Sequence, residues 1–392
     1  MKILMILQTN FPPDIRVENE IRSLVKAGYS VHLLCKNSGG EAAQENWEGA
    51  TIHRIPWCKK LKILNTLRQF PVHLNPVWRR TLITLIDRYN IDVVHVHDLP
   101  LAPMAVWAKK RRPVKIIYDM HENYPAALKV WQKKGVENLI KNYRIARFIE
   151  KKYLPKFDRL IAVIEENKAR VEETYGYPAK NIAVVSNWVR LEDFVPNNAY
   201  SDINLPEDLK IVLYVGGLDS HRGLDVVIRG MNQLISSGEP LYLLIVGGGR
   251  YEKTIEELLR ESPSLKGRMH VTGWVPYKYV PWFVSQSDVC VIPQGSNIHT
   301  DTTIPHKVFQ YCALGKPVVA ADAVPMKRIV HEIHGGEIFR SGDVEDFREK
   351  LLFVLKQPDV YGQSGKKVVE EKYNWSCAEK ELLKMYSDLS SS

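Results

Sequence analysis

Short apolar runs alternate along the whole chain with longer stretches of helical period. The runs at 2–7, 30–35, 51–55, 93–97, 114–119, 160–164 and 182–185 read as strands of the first half. Those at 211–215, 241–246, 269–272, 288–292, 317–321 and 336–339 read as strands of the second. Most are apolar at successive positions, as strands buried on both faces require. Between them, Ile15 to Lys26, Leu224 to Ser236 and Tyr251 to Arg260 carry the spacing of helices. The alternation predicts an α/β protein of two doubly wound, Rossmann-like domains across a cleft, with ligands at the carboxyl ends of parallel strands. The polar, Pro-containing stretch Val195 to Lys210 marks the seam, placing the domains at 1–195 and 196–374.

A length of 392 residues agrees, because one ordinary core rarely spans so many. Hydrophobic residues at 45% and charged residues at 25% are those of a globular chain. No apolar run approaches the roughly 18 residues of a membrane helix. Ile3 to Leu7 is too short for a signal peptide and reads as the first strand. The cysteines Cys35, Cys58, Cys290, Cys312 and Cys377 lack zinc-ligand spacing. Cys35, Cys290 and Cys312 sit among apolar neighbours and read as buried small hydrophobes. This usage fits a reducing cytoplasm.

Charge changes the picture of the first half. Residues 1–195 hold 32 Lys and Arg against 20 Asp and Glu, although the whole chain carries only +9. Two readings follow: a solvated basic face, or a surface that meets an anionic membrane or acceptor at the inner face of the membrane. The basic amphipathic segment Val136 to Lys156 has the same two readings, packing on its own domain or docking at a membrane interface. Nucleic acid is not an expected partner, because no aromatic platform or recognition motif is interleaved with the basic residues.

Two elements carry candidate phosphate chemistry. In YVGGLDSHRGLDVVI, Tyr214 to Ile228, a strand ends at Gly216-Gly217 and a helix begins near Gly223. Glycine lets the backbone approach a ligand closely, and Arg222 at the helix mouth offers charge to phosphate oxygens. In PHKVFQYCALGKPVVAAD, Pro305 to Asp322, a helix from Pro305 through Leu314 stops at Gly315 and feeds a buried strand. Thr302 and Thr303 stand where a hydroxyl caps free amides. With Lys307 in the first turn, this opening predicts an anion seat.

Over nearly its whole length the chain resembles glycosyltransferase family 4, of the GT-B fold. In the second half the likeness rests on the Gly-Gly…Arg-Gly loop, VTGWVP (Val271 to Pro276), DVCVIP (Asp288 to Pro293) and ALGKPVVA (Ala313 to Ala320). In the first it rests on the opening strand, VVHVHD (Val93 to Asp98), IIYDMHENYP (Ile116 to Pro125) and VVSNW (Val184 to Trp188). The resemblance implies retaining transfer from a nucleotide-diphosphate-sugar to a glycan or lipid-linked acceptor, in surface polysaccharide or glycolipid synthesis. It implies donor binding by the second domain, acceptor binding by the first, and a C-terminal helix, about 375–392, that crosses back onto the first. A UDP-sugar is the first donor expected and a GDP-sugar the second.

The site residues implied depart from the family pattern. Gly217 stands where the family carries an arginine, Arg222 takes the place of its lysine, and Lys307 is expected to supply the missing cation. Two family glutamates fall at Thr302 and Gln310. The amide oxygen of Gln310 can accept from ribose hydroxyls, leaving Thr302 or Asp301, beside Thr303, for the sugar. Trp274 and Val275 stand in the loop that meets the base, with core packing the other reading of Trp274. His121, flanked by Asp119 and Glu122, corresponds to the family histidine near the reacting carbon and is the catalytic candidate. Asp98 at a strand end, Asp14 and Arg16 in the loop after the first strand, and Glu122 are acceptor-side candidates; NFPPDIRVENE, Asn10 to Glu20, replaces the family's glycine-rich loop, so acceptor recognition is expected to be particular to this subgroup.

Rate acceleration is expected from charge at the departing diphosphate, supplied by Arg222, Lys307 and helix amides. The chain contains no Asp-x-Asp motif, so neither a metal nor a cofactor is expected. Two other classes stay open: a nucleotide-sugar epimerase of the same fold, and a non-catalytic donor-binding partner of a glycosyltransferase complex.

Overall fold

The computed structural model describes residues 1–57, 75–131 and 142–390. The chain forms two compact units, Met1–Asn187 with Ala378–Ser392, and Trp188–Cys377. The division therefore comes earlier than the polar stretch that marks it in the sequence. Trp188 packs edge-on against Phe309 and Tyr373, and Val189, Phe194 and Leu205 join the core of the second unit. The helix Trp375–Ser390 begins in the second unit and contributes Ala378 onward to the first.

The first unit is built on an eight-stranded sheet. Its strands are β1 (Lys2–Asn10), β2 (Ser30–Asn37), β3 (Gln44–Trp47), β4 (Ala50–Pro56), β5 (Val93–His97), β6 (Lys115–Met120), β7 (Arg159–Ala162) and β8 (Ile182–Val184). They lie in the order β3-β4-β2-β1-β5-β6-β7-β8, parallel except for the β3–β4 hairpin. The edge strand β3, QENW, was not expected, because none of its residues is buried and it leaves no apolar signal. Leu4, Ile6, Val94 and Val96 pack one face of the sheet into a core with Trp78, Leu82 and Met104. The other face of β5 presents His95 and His97, both at 0% exposure.

The second unit holds β9 (Lys210–Val215), β10 (Leu241–Val246), β11 (Met269–Val271), β12 (Val289–Ile292), β13 (Val318–Ala321) and β14 (Gly336–Phe339). The order β11-β10-β9-β12-β13-β14 is wholly parallel. The chain reverses its direction of growth between β9 and β12, where such sheets open a crevice at the carboxyl ends of the strands.

The helices Ile15–Lys26 and Leu224–Ser236 form at the expected bounds, while the helix expected from Tyr251 is Glu252–Arg260. Of the amphipathic segment, residues 136–141 lie outside the described residues, as does Cys58. The helix Tyr143–Tyr153 buries Ala146, Ile149 and Glu150, and Arg170 pairs with Glu150 at 2.9 Å, which fastens this stretch to its own unit. Cys35, Cys290 and Cys312 are buried. No described helix is long and apolar enough to cross a membrane.

Candidate active site

In the second unit β9 runs into Gly216-Gly217 and β12 into Pro293-Gln294 at the point of reversal. Gly216 adopts φ +143°, and a Cβ there would lie 2.3 Å from Lys307 Nζ. Gly247, after β10, adopts φ +141°, and its Cβ would lie 2.0 Å from the Gly216 carbonyl oxygen. Only glycine fits at either position, so these strand ends close into a tight cradle. The Lys307 ammonium stands 4.5 Å from the centroid of the Tyr214 ring, whose hydroxyl donates to the Gly217 carbonyl at 2.9 Å. Burial, with the charge of Arg222 second, pushes the Lys307 ammonium down to about 7. Arg222 ends the turn Ser220–Arg222, donates to the Gln294 side chain at 2.7 Å and keeps Nε buried without a partner. Among the described residues no carboxylate pairs with either cation. Two cations that repel each other favour an anion between them.

Beside Arg222 opens a cavity of about 110 Å³, lined by Gln294, His299, Thr300, Thr303, Ile304, Pro305, Ala323 and Met326. Trp274 is 73% exposed, so core packing is not its role. It lies on the glycines, its ring 3.8 Å from the place of a Cβ on Gly217 and 2.8 Å from that on Gly248. Val275 is half-buried against the core of the unit. Gln310 is buried and its amide nitrogen donates to the Tyr277 hydroxyl at 2.7 Å.

The helix expected from Pro305 starts later, as Lys307–Ala313, and no side chain caps it. Thr303 is extended, at φ −148° and ψ 162°, and carries the chain away before the helix begins. Thr302 donates instead to the His299 carbonyl at 3.1 Å within its own turn. So short a helix is no anion seat; the Lys307 side chain itself brings the charge. Asp301 accepts from the Ser296 hydroxyl at 3.0 and 2.8 Å and from the Val324 amide at 3.1 Å, fastening its loop to the helix Val324–Ile333.

In the first unit the order reverses between β1 and β5. His97 Nδ1 lies 3.1 Å from Asp119 Oδ2 and 3.0 Å from His121 Nε2, and His121 Nε2 lies 3.1 Å from the same carboxylate oxygen. Burial would raise the Asp119 carboxyl, but His121, His95 and His97 hold it well below the usual range. Burial, reinforced by Arg16 and opposed by Asp119, pushes His121 down to about 3. Arg16 forks onto Asp14, with contacts of 3.0 and 2.8 Å. Asp98 sits at φ +69°, a conformation that costs a non-glycine residue. Burial pushes its carboxyl up to about 7; Arg16 opposes the shift and Glu122 adds to it.

Residues 15–193 match Glycosyltransferase Family 4, and residues 198–375 match Glycosyl transferases group 1, between them nearly the whole chain. The chain is a family 4 glycosyltransferase. D-inositol 3-phosphate glycosyltransferase 2 of Catenulispora acidiphila is 24% identical over 76% of this chain and 70% of its own. Sucrose-phosphate synthase from Thermosynechococcus elongatus matches with a TM-score of 0.82 at 18% identity, over 100% of this chain and 99% of its own. HepE from Anabaena, solved in complex with UDP, matches with a TM-score of 0.72 at 12% identity, over 99% of this chain and 100% of its own. The glycosyltransferase has the GT-B fold that its motifs implied.

In this glycosyltransferase Gly216, Gly217, Arg222, Trp274 and Lys307 come together, and so do Asp14, Arg16, Asp98, Glu122 and His121. Asp301 and Thr302 are turned to holding their loop. Sequence reasoning missed Tyr214, Gln294 and the triplet Gly247-Gly248-Gly249, of which only the triplet, closing a buried strand, left a legible signal. It also missed Glu20, His95 and His97, although the two histidines, spaced to share one face of β5, were in plain view.

Proposed function

We propose that this glycosyltransferase takes its sugar from a nucleotide-diphosphate-sugar held by the unit Trp188–Cys377 and passes it, with retention, to a glycan or lipid-linked acceptor. The observation that carries this reading is the pair Arg222 and Lys307, two cations without a carboxylate at glycine-lined strand ends. Around them a spatial order supports it: Trp274 offers a shelf for the base, the cations meet the diphosphate, and the cavity beside Arg222 takes the sugar. UDP is the first nucleotide to test, and the complex of HepE with UDP supports that choice. No metal is invoked for the transfer, since the two side chains supply the charge a leaving diphosphate needs. Surface polysaccharide or glycolipid synthesis at the inner face of the membrane is the setting we propose, supported by the basic first half of the chain.

A thermal-shift panel of nucleotide diphosphates and their sugars tests the reading. A ligand at 100 times its dissociation constant adds about 2.7 kcal/mol of stability. No shift with UDP, GDP, ADP or dTDP would sink it. Donor consumed to an isomer in the absence of acceptor would instead mark an epimerase.

Trp274→Ala is expected to weaken UDP binding by about 5- to 150-fold, the worth of one base stacked on an aromatic ring, roughly 1–3 kcal/mol. Titration calorimetry measures it; unchanged affinity would place the base elsewhere.

Binding should also take up a proton above pH 7. The Lys307 ammonium, facing Tyr214 and Arg222, titrates at about 7 in the free protein. A bound diphosphate favours the charged form and raises that value. Affinity is therefore full below pH 7 and falls as pH rises, by up to about tenfold per unit, until the value in the complex is reached. Calorimetry at pH 8 in two buffers of different ionisation enthalpy measures the uptake, which Lys307→Met abolishes.

A further inference from the structure

We propose that the first unit binds a divalent transition-metal ion, zinc before others, between Glu20, His95, His97 and Asp119. Strands in the middle of a doubly wound sheet are ordinarily apolar on both faces. β5 keeps that rule with Val94 and Val96 but places two imidazoles on its other face, fully buried. Asp119 stands in the register position opposite His97 on β6. Glu20, 3% exposed, reaches the same place from the helix Ile15–Lys26. One donor atom from each of the four residues lies within 4.8 Å of all the others.

Hydrogen bonding satisfies only part of the cluster, as where His97 Nδ1 meets Asp119 Oδ2 at 3.1 Å. His95 Nε2 is 3.8 Å from Glu20 Oε2 and 3.8 Å from Asp119 Oδ2, beyond hydrogen-bond reach. Glu20 Oε2, His95 Nε2, His97 Nε2 and Asp119 Oδ1 are all buried without a partner. Four such atoms from four neighbouring residues would each carry a desolvation penalty. One cation satisfies them together. Two donors on a tetrahedral zinc, each about 2.0–2.1 Å from it, stand about 3.4 Å apart, so the observed gaps close with small side-chain movements.

The remaining ring nitrogens are already held, as metal-bound histidines require. His95 Nδ1 meets the Tyr386 hydroxyl at 2.8 Å, and His97 Nδ1 meets Asp119 and His121. Two imidazoles with two carboxylates suit zinc better than magnesium or calcium, which take all-oxygen shells. With four protein donors and almost no exposure, the site is closed and its role is structural. It ties β5, β6 and the helix Ile15–Lys26 together beneath Asp14, Arg16 and His121. The inference stands apart from donor binding, which belongs to the other unit.

Protein expressed with added zinc and then dialysed is expected to hold about one equivalent of metal per chain by elemental analysis. Glu20→Gln and His95→Ala should each hold less than about a tenth of that. A strong chelator should lower the melting temperature of the wild type and added zinc should restore it, while Glu20→Gln, nearly isosteric, responds to neither. Should His95→Ala fail to fold, Glu20→Gln carries the test alone. Folded wild type that holds almost no metal and melts indifferently to chelator and zinc overturns the proposal, leaving a proton-sharing network. Metal retained by Glu20→Gln overturns it as well, by placing the ion elsewhere.

Discussion

Arg222→Ala is expected to remove most of the stabilisation that UDP confers and to lower kcat/KM by about 10²–10³-fold. The guanidinium is oriented in advance by Gln294, keeps a buried Nε without a partner and has no acid to neutralise it. Its charge is therefore available at no cost in reorganisation when a diphosphate arrives or departs. The free protein should fold as before, because the substitution breaks no ion pair and relieves repulsion with Lys307. Arg222→Lys should fall between, retaining charge but losing the planar fork. Thermal shifts with UDP and initial rates measure both effects. An undiminished shift in Arg222→Ala would remove this residue from the donor site.

His121→Ala is expected to lower kcat by about 10²–10³-fold while leaving UDP affinity unchanged, as for the loss of one preorganised polar contact at the reacting centre. Its Nε2 is occupied by His97 and Asp119, and its Nδ1 is buried without a partner. One edge of the ring is thus held and the other is left to meet a sugar hydroxyl. Nucleotide affinity is assigned to the unit Trp188–Cys377, which His121 does not belong to. Steady-state rates paired with UDP calorimetry separate the two effects. A kcat that does not move would reduce His121 to a buried structural imidazole.

Much of the scaffold was legible because burial on both faces writes itself locally. The stretches 93–97 and 317–321 read as strands without reference to any partner. QENW stayed invisible for the same reason, having no buried residue to report it. The start of the helix after Pro305 was misread because Pro, Thr and Lys obey local rules only where the chain is free to follow them. Thr302 had a closer acceptor in the His299 carbonyl, and extended Thr303 delayed the helix.

The sequence alone established two α/β units and the order of most of their strands along the chain. It also singled out Arg222 and Lys307 as the cations. Tertiary structure decided which groups those residues meet. Gln294 is 72 positions from Arg222, and Tyr386 is 291 from His95. Glu20 is one of two acids in an amphipathic helix until the fold brings it to His95 and Asp119. Local periodicity reports whether a side chain is buried. Which charge or ring it is buried against depends on strand order and register, set only when distant segments close on one another.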